Sequence, residues 1–415
     1  MTQRCLAAIA AAALSVATAT TAAAPAAAQG PDLDAPAAIL VQPDTEDVVV
    51  ARREQERRPI ASTTKLMTAL VTLENADLDD VVTAVRYRAS PVESLMGLRA
   101  GERVTIRDLL EGLLLASGND AAATLARRVG GSERRFVRMM NERARELGLS
   151  DTHYANPVGL DDPRNYSSAE DLAKLALILL RDPFFARTVN RRSATVVSGD
   201  RRRTIVNRNA LVREVPWMNG VKTGYTSQAG YILVGSASRR GVRFVSAVLG
   251  APSEAARDAD TLDLMRFGQR RYRRVVALRR GAVLASPTLD FRADEHVDVV
   301  AARTVRAVVR RGQRPQVRVT GVPDELAGPL RRGQRVGTAV VSYRGRELAR
   351  VPLVTAEAVP AAGVVDKVSS ALPPIWLLAV AAAVLACSLH LVLRHRRRVR
   401  RRRARARRRR GTETA

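Results

Sequence analysis

The feature that most constrains how this chain folds lies near its C-terminus. Residues 375–393 form a run of 19 residues without Asp, Glu, Lys or Arg, preceded by two prolines and followed at once by an arginine block. As a helix, such a run is long enough to cross the hydrocarbon core of a bilayer. Because basic flanks stay on the cytoplasmic side, we expect a transmembrane helix at 375–393 and a cytoplasmic Arg-rich tail at 394–415.

The opposite end has the pattern of a secretory signal. Residues 1–28 open with Arg4, continue through a small apolar run, and reach three alanines that fit a cleavage site. Cys5 precedes the apolar run, whereas the cysteine of a lipoprotein signal would follow it. We therefore predict a signal peptide and a single-pass protein of the cell membrane with its folded region on the extracytoplasmic side. A disordered Ala-rich leader is the alternative.

Much of the net charge belongs to the tail. The formal net charge is +27, and 13 arginines lie between Arg394 and Arg410. Dense cationic runs bind phosphate backbones without sequence preference, so a nucleic-acid partner has to be considered. This run has no interleaved aromatic residues and directly follows the apolar span. We expect it to contact anionic lipid, and we expect no nucleic-acid partner.

Scarce residue types exclude several kinds of site. Cys5 and Cys387 flank the region expected to fold, so no disulfide framework or Cys-ligated zinc site lies within it. Only His153 and His296 fall in that region, which argues against a zinc peptidase and a Ser-His-Asp triad. We expect no metal and no cofactor. Arginine supplies nearly all the cations, so a retained lysine indicates a site that needs proton loss or a compact ammonium group. The four lysines are Lys65, Lys174, Lys222 and Lys367.

Strands and helices follow one another in residues 29–274 in an order typical of an α+β layer. Amphipathic helices begin at Ser62 and at Thr105, where apolar residues recur every three or four positions. Strands precede and follow the helical cluster, so we predict one antiparallel sheet covered by helices. The predicted strands are 37–41, 48–51, 231–237 and 242–249, and further predicted helices are 136–147 and 169–180.

After residue 274 the sequence pattern changes from mixed helices and strands to strands alone. Val-rich alternating runs, such as those in 297–309 and 336–343, predict a small β-sandwich domain at residues 275–360. Residues 361–374 are then a linker to the transmembrane helix.

Ser62 and Lys65 form the first motif that carries chemistry. The two residues are three positions apart, which places the hydroxyl and the amine on one face of a helix. A serine hydroxyl is a poor nucleophile without a neighbouring base, and a neutral lysine can be that base. Burial and a second cation, for which Lys222 is the candidate, would lower the lysine pKa from its free value of ~10.4. Alone, this spacing also fits a helix start with one solvated lysine.

Two later motifs favour a catalytic pair over a helix start with one solvated lysine. Residues 117–119 read Ser-Gly-Asn and residues 222–224 read Lys-Thr-Gly. Together with S-x-x-K, they are the joint signature of penicillin-binding proteins and related β-lactamases. On these motifs, and on KTGYTSQAGY from residue 222 onward, the sequence resembles the serine-type D-alanyl-D-alanine carboxypeptidases (low-molecular-mass penicillin-binding proteins, peptidase S11 family) over about residues 35–272. Ser-Gly-Asn instead of Ser-Asp-Asn favours this family over class A β-lactamases.

The resemblance implies a β-lactamase/transpeptidase-like fold and an acyl-enzyme mechanism on peptidoglycan stem peptides, with β-lactam antibiotics as covalent inhibitors. It implies that Ser62 attacks the carbonyl between two terminal D-alanines and that Lys65 takes its proton. Ser117 would relay a proton to the departing D-alanine, and Asn119 would bond to the substrate backbone or to Lys65. The implied substrate-binding residues are Lys222, Thr223, Gly224, Tyr225 and Arg257, with the backbone N–H groups of Ser62 and Tyr225 as oxyanion hole.

Three other functions stay open at this point. A peptidoglycan DD-endopeptidase could use the same site to cleave cross-links. A non-catalytic binder of cell-wall peptides would keep the fold without turnover. A pure β-lactamase would release the drug rapidly instead of retaining it.

Overall fold

The computed structural model describes residues 30–199, 201–371 and 375–410. The predicted signal peptide lies outside these residues. The chain separates into two compact units: the first extends through Ser238 and includes Arg243–Gln269, and the second contains Arg239–Val242 and the chain from Arg270 onward.

An antiparallel sheet frames the first unit. Its strands, with the short pairs around it, are β1 (Ala37–Gln42), β2 (Asp47–Arg52), β3 (Arg58–Pro59), β4 (Val81–Thr83), β5 (Arg103–Thr105), β6 (Tyr166–Ser167), β7 (Ser193–Val196), β8 (Arg203–Val206), β9 (Met218–Thr226), β10 (Gly230–Arg239) and β11 (Val242–Ala251). The main sheet has the order β2-β1-β11-β10-β9. Long runs of consecutive buried residues in β10 and β11 show that the sheet is covered on both faces.

Helices fill the rest of the first unit. They are α1 (Lys65–Asn75), α2 (Ile106–Glu111), α3 (Asn119–Gly130), α4 (Glu133–Glu146), α5 (Ala169–Leu179), α6 (Pro183–Val189), α7 (Ala210–Glu214) and α8 (Glu254–Arg271). Helix α1 is buried along eight consecutive residues from Lys65, so it lies inside the helical cluster instead of on its surface. A lysine at its first position is therefore enclosed from the start.

The structure confirms the predicted α+β class and adds several short strands and helices to the predicted elements. The early hairpin is present as β1 and β2, and the late hairpin as β10 and β11. Thr105 caps α2 as its pattern indicated, accepting a hydrogen bond from the backbone N of Asp108 at 3.1 Å. Strand β9, which carries Lys-Thr-Gly, and helix α8 were not predicted from the sequence.

The second unit is rich in short strands. They are β12 (Tyr272–Leu278), β13 (Val283–Ala285), β14 (Thr288–Leu289), β15 (Arg292–His296), β16 (Val299–Ala301), β17 (Val305–Arg310), β18 (Gln316–Thr320), β19 (Glu325–Leu326), β20 (Arg335–Tyr343) and β21 (Arg346–Thr355). One sheet has the order β13-β16-β21-β20-β18, and smaller sheets pair β12 with β17 and β15 with β14 and β19. Alternate residues, such as Ala339, Val341, Val351 and Leu353, form the apolar core.

Two helices end the described chain. Helix α9 spans Val364–Ala371 and α10 spans Ile375–Arg410. Within α10, residues Leu378–Arg403 are long and apolar enough to cross a membrane and are exposed in the structure. The arginine run continues the same helix.

Candidate active site

The turn that carries Ser62 precedes the buried helix α1. Residues Ala61–Thr64 form one turn of 3₁₀-helix that leads directly into Lys65. Lys65 Nζ donates to Ser62 Oγ at 3.0 Å, so the predicted contact between hydroxyl and amine is present. Ser62 itself is half-buried, which leaves its hydroxyl accessible to a ligand.

Two glycines allow backbone to approach this turn closely. A Cβ at Gly224, in β9, would lie 3.2 Å from the carbonyl O of Ile60 and 3.3 Å from the backbone N of Ser62. A Cβ at Gly159 would lie 2.0 Å from the carbonyl O of Ala61, and Gly159 has φ +87°. Because both positions are glycine, β9 and the loop at 156–160 can pack closely against the turn that carries Ser62.

That loop also completes the surroundings of Lys65. The side-chain oxygen of Asn156 accepts from the backbone N of Val158, Gly159 and Leu160, which closes the loop into a tight turn. The turn presents the carbonyl of Val158, which accepts a hydrogen bond from Lys65 Nζ. Because every residue has a backbone carbonyl, the sequence could not predict that this one contacts Lys65.

Burial changes the chemistry of Lys65. Its side chain is completely enclosed, and this loss of hydration, with a smaller contribution from Arg208, lowers its pKa to about 7. Glu93 and Asp120 oppose the shift. A large fraction of Lys65 is therefore neutral near neutral pH, and a neutral amine 3.0 Å from Ser62 Oγ can accept the hydroxyl proton.

Ser117 and Lys222 meet although 105 residues separate them. Ser117 follows a π-helical turn at Gly112–Ala116 and has φ +61°, a left-handed conformation uncommon for a residue other than glycine. Lys222 Nζ donates to Ser117 Oγ and to the carbonyl O of Thr223, at 2.9 Å in each case. Burial, followed by the charges of Lys65, Arg208 and Arg257, holds the pKa of Lys222 well below its usual value.

Gly118 explains the Ser-Gly-Asn form of the second motif. A Cβ at this position would lie 3.0 Å from the backbone N of Met96 and 2.9 Å from Oδ1 of Asp120. The carboxylate of Asp120 accepts from the backbone N of Met96, Gly97 and Leu98 at 2.8–2.9 Å. A side chain at position 118 would disturb this packing, so the tripeptide tolerates only glycine without rearrangement.

Asn119 has a partner that the sequence did not indicate. Its Nδ2 donates to Oε2 of Glu93 at 2.6 Å, and the hydroxyl of Tyr87 donates to the same oxygen. Both partners lie in the loop between β4 and β5. No spacing rule links this loop to the Ser-Gly-Asn motif, so neither residue could be singled out.

Each of the three motifs contributes at least one residue to the lining of a cleft of about 370 Å³ in the first unit. Ser62 and Ser117 line it together with Arg208, an exposed arginine that the sequence analysis also missed. Arg257 lines it as expected, but its guanidinium is almost fully buried and paired with Glu254 and Asp258 at 2.8–2.9 Å. The other lining residues are Val92, Ser94, Thr223, Gly224, Tyr225, Tyr231 and Glu254.

The edge strand β9 supplies one wall of this cleft. Thr223, Gly224 and Tyr225 occupy it, and the ring of Tyr225 lies 4.3 Å from that of Tyr231, centroid to centroid. A separate groove of about 660 Å³ lies elsewhere in the unit and is lined by none of the motif residues. Among residues 30–199, 201–371 and 375–410, no group of three or more His, Cys, Asp or Glu side chains could hold a metal ion.

Comparison with known proteins decides the family. Residues 21–253 match the sequence profile of the family described as D-alanyl-D-alanine carboxypeptidase, Peptidase_S11. The chain belongs to the D-alanyl-D-alanine carboxypeptidase family. Residues 272–361 match a second profile, described as the C-terminal domain of penicillin-binding protein 5.

Individual members of the family agree with this assignment. The D-alanyl-D-alanine carboxypeptidase DacD of Escherichia coli (strain K12) is 35% identical over 346 residues, which cover 80% of this chain and 88% of DacD. A crystal structure of penicillin-binding protein 5 from Haemophilus influenzae matches with TM-score 0.59 and 28% identity, covering 80% of this chain and 99% of that one. A mutant of the Streptomyces K15 DD-transpeptidase matches with TM-score 0.56 and 33% identity, covering 58% and 99%.

The predicted family and activity are thereby confirmed. The chain is a D-alanyl-D-alanine carboxypeptidase related to penicillin-binding proteins, with a penicillin-binding-protein-5-like fold and a C-terminal β domain. Peptidoglycan stem peptides as substrates and β-lactams as ligands follow from the family. The apolar helix α10 fits a single-pass membrane anchor.

Proposed function

We propose that this carboxypeptidase removes the terminal D-alanine from peptidoglycan stem pentapeptides through an acyl-enzyme on Ser62, with Lys65 as the base. The observation that carries the proposal is the pair itself: a completely buried amine with a pKa near 7 lies 3.0 Å from a half-buried serine hydroxyl. This arrangement supplies a base that is neutral at the pH of use.

The steps of acylation follow from the contacts. The Ser62 hydroxyl proton passes to neutral Lys65 while Oγ forms a bond to the carbonyl carbon between the two D-alanines. The backbone N–H groups of Ser62 and Tyr225 stabilise the oxyanion, and the close approach of β9 at Gly224 supports this pairing. The C–N bond then breaks as the departing amine takes a proton from Ser117.

Release of the product uses water and the same base. After the amine departs, Ser117 recovers its proton from the Lys65 ammonium, which leaves Lys65 neutral, and Lys222 holds the Ser117 hydroxyl at 2.9 Å. Lys65 then takes a proton from water as the water oxygen bonds to the acyl carbon, and this proton passes to Ser62 Oγ as the ester bond breaks and the shortened peptide leaves. Asn119 holds the substrate backbone beside this centre.

Cations in the cleft favour a substrate with a terminal carboxylate. Arg208 and Arg257 line the cleft, and Thr223 adds a hydroxyl from β9. Lys222, next to Thr223 in β9, would add positive charge in its protonated form. Arg257 is held by Glu254 and Asp258, so its guanidinium is already oriented before a ligand arrives.

We further propose that α10 crosses the cell membrane once, with both units on the extracytoplasmic side. Its apolar window and the arginine run that follows it support this orientation. The Arg-rich tail would then contact anionic lipid on the cytoplasmic face. Protease added to intact cells should remove the catalytic unit and spare an epitope at the C-terminus; the reverse pattern would refute the orientation.

Release of free D-alanine tests the activity. Purified full-length protein in detergent micelles should release D-alanine from a stem pentapeptide and should form a covalent penicillin adduct that maps to Ser62. Ser62→Ala should abolish both while leaving thermal unfolding nearly unchanged. A folded protein that neither releases D-alanine nor carries the adduct on Ser62 would refute the proposal.

A transfer reaction is the second candidate, because the chain matches the Streptomyces K15 DD-transpeptidase over 99% of that enzyme. The same acyl-enzyme would then react with an amine in place of water. Adding an acceptor amine and, separately, cross-linked dimers to the D-alanine assay distinguishes transfer and endopeptidase cleavage from hydrolysis. A transfer product formed faster than free acid would favour the transpeptidase.

A further inference from the structure

We propose that Glu93 is a positioning residue of this active site, which fixes the orientation of the Asn119 amide and sets the charge around Lys65. The proposal rests on the proposed roles of Ser62, Lys65 and Asn119 in acylation. No motif of the family signature contains Glu93, and it reaches the site from the loop between β4 and β5.

The carboxylate of Glu93 is held by three donors. Its Oε2 accepts from Asn119 Nδ2 at 2.6 Å and from the hydroxyl of Tyr87, and its Oε1 accepts from the backbone N of Ser90 at 2.9 Å. The orientation of the carboxylate is therefore fixed by hydrogen bonds within the protein. Glu93 acts through Asn119 and Lys65 instead of touching the reacting atoms.

An acceptor-only partner determines which way an amide points. The side chain of Asn119 has a donating nitrogen and an accepting oxygen, which differ little in shape. An ionised carboxylate can accept but not donate, so the nitrogen must face Glu93. A glutamine at position 93 would offer both an acceptor and a donor, and either orientation of Asn119 would then be satisfied.

The loop that carries Glu93 is held by hydrogen bonds to Asn119 and Asp120 at the start of α3. The backbone N of Asn119 donates to the carbonyl O of Ser94 at 2.8 Å. Asp120 accepts three backbone N–H groups from the next residues of the loop. Farther along, Glu102 forms a buried ion pair with Arg203. Such a support can hold a side chain with the precision that catalysis requires.

Four ionisable groups surround Lys65 from the elements packed against it. Glu93 in the loop and Asp120 in α3 are acidic, Arg208 is a cation, and Lys222 is a second amine whose pKa burial lowers. Asp120 is already bonded to backbone, which leaves Glu93 as the acid that also touches a motif side chain. Although burial acts in the opposite direction, hydrogen bonds from Tyr87, Ser90 and Asn119 lower the pKa of Glu93, so it remains charged while Lys65 titrates.

The sign of the effect on Lys65 follows from this charge. A negative neighbour favours protonated lysine and raises its pKa, and removing that charge lowers it. The base becomes active as pH rises through its pKa. Loss of the Glu93 charge should therefore shift the acid limb of acylation to lower pH.

The test compares variants by the rate of Ser62 acylation with a fluorescent penicillin, measured from pH 5 to 9 on the full chain in detergent micelles. Glu93→Gln should move the acid limb down by on the order of 0.5 pH unit and lower the plateau roughly tenfold, because one charge-assisted hydrogen bond is lost. Glu93→Asp keeps the charge but is one methylene shorter. It should leave the limb in place and lower the plateau.

The matched control is Glu133→Gln, which removes an exposed charge at the start of α4 near the same loop. It should change neither limb nor plateau. A Glu93→Gln profile that matches the unchanged protein in both respects overturns the proposal, and so does a Glu93→Asp variant with an unchanged plateau. Penicillin acylation without any D-alanine release from the unchanged protein would refute the proposed substrate and leave the Glu93 comparison valid.

Discussion

Replacing Lys65 with arginine tests the mechanism most directly, because it exchanges an amine that can lose its proton for a permanent cation. Lys65 Nζ lies 3.0 Å from Ser62 Oγ in a closed site, where burial lowers its pKa to about 7. Guanidinium has a free pKa above ~12 and cannot lose its proton at neutral pH. The variant would place a permanent cation beside the nucleophile.

The size of the effect follows from the two pKa values. With a pKa near 7, roughly nine-tenths of Lys65 is neutral at pH 8, whereas guanidinium stays almost completely protonated because its pKa lies far above that pH. General base catalysis contributes about 10²–10⁴-fold. We therefore expect Lys65→Arg to lower the acylation rate constant at pH 8 by about 10²–10⁴-fold.

Penicillin acylation and D-alanine release, each followed from pH 5 to 9, provide the assay. The unchanged protein should gain rate about tenfold per pH unit below 7 and level off above it. Arginine is larger than lysine, and overpacking a closed site costs about 1–3 kcal/mol. Lys65→Met, which has no amine, is the second variant, and thermal unfolding monitors both.

Two results would refute the reasoning. One is a folded Lys65→Arg or Lys65→Met variant that keeps more than about a tenth of the acylation rate. The other is an unchanged protein whose rate continues to rise up to pH 9, because its base would then have an ordinary lysine pKa.

Three further substitutions test other parts of the site. Ser117→Ala should lower kcat for D-alanine release by about 10²–10⁴-fold with little change in thermal unfolding, and unchanged kcat would exclude a proton relay. Gly224→Ala should lower penicillin acylation at least about tenfold, because its Cβ would displace the Ser62 turn by a few tenths of an ångström. Arg203→Met removes the buried ion pair with Glu102 and should cost about 3–5 kcal/mol in urea unfolding; less than ~1 kcal/mol would show that the ion pair contributes little.

Local patterns predicted nearly half of the elements of the first unit. Apolar periodicity after Ser62 and the Thr105 cap identified α1 and α2, and alternating runs identified the hairpins, because these signals depend on neighbouring residues. Strand β9 was missed because it contains the polar motif residues Lys222 and Thr223 and three glycine or asparagine positions, and it is stabilised by pairing with β10. Helix α8 was missed because its polar sequence has no clear apolar face.

In the active site, too, some features follow from the sequence and others depend on the tertiary structure. The sequence by itself determined the candidate residues, because Ser62, Lys65 and Lys222 belong to motifs whose order and composition are hard to obtain by chance in a chain with only four lysines. Only the tertiary structure brought Ser117 within 2.9 Å of Lys222 across 105 residues. Enclosure of Lys65 by distant segments lowered its pKa to about 7, and a loop without a motif placed Glu93 at Asn119. Burial and long-range contact depend on how the whole domain packs, so no local pattern could have predicted them.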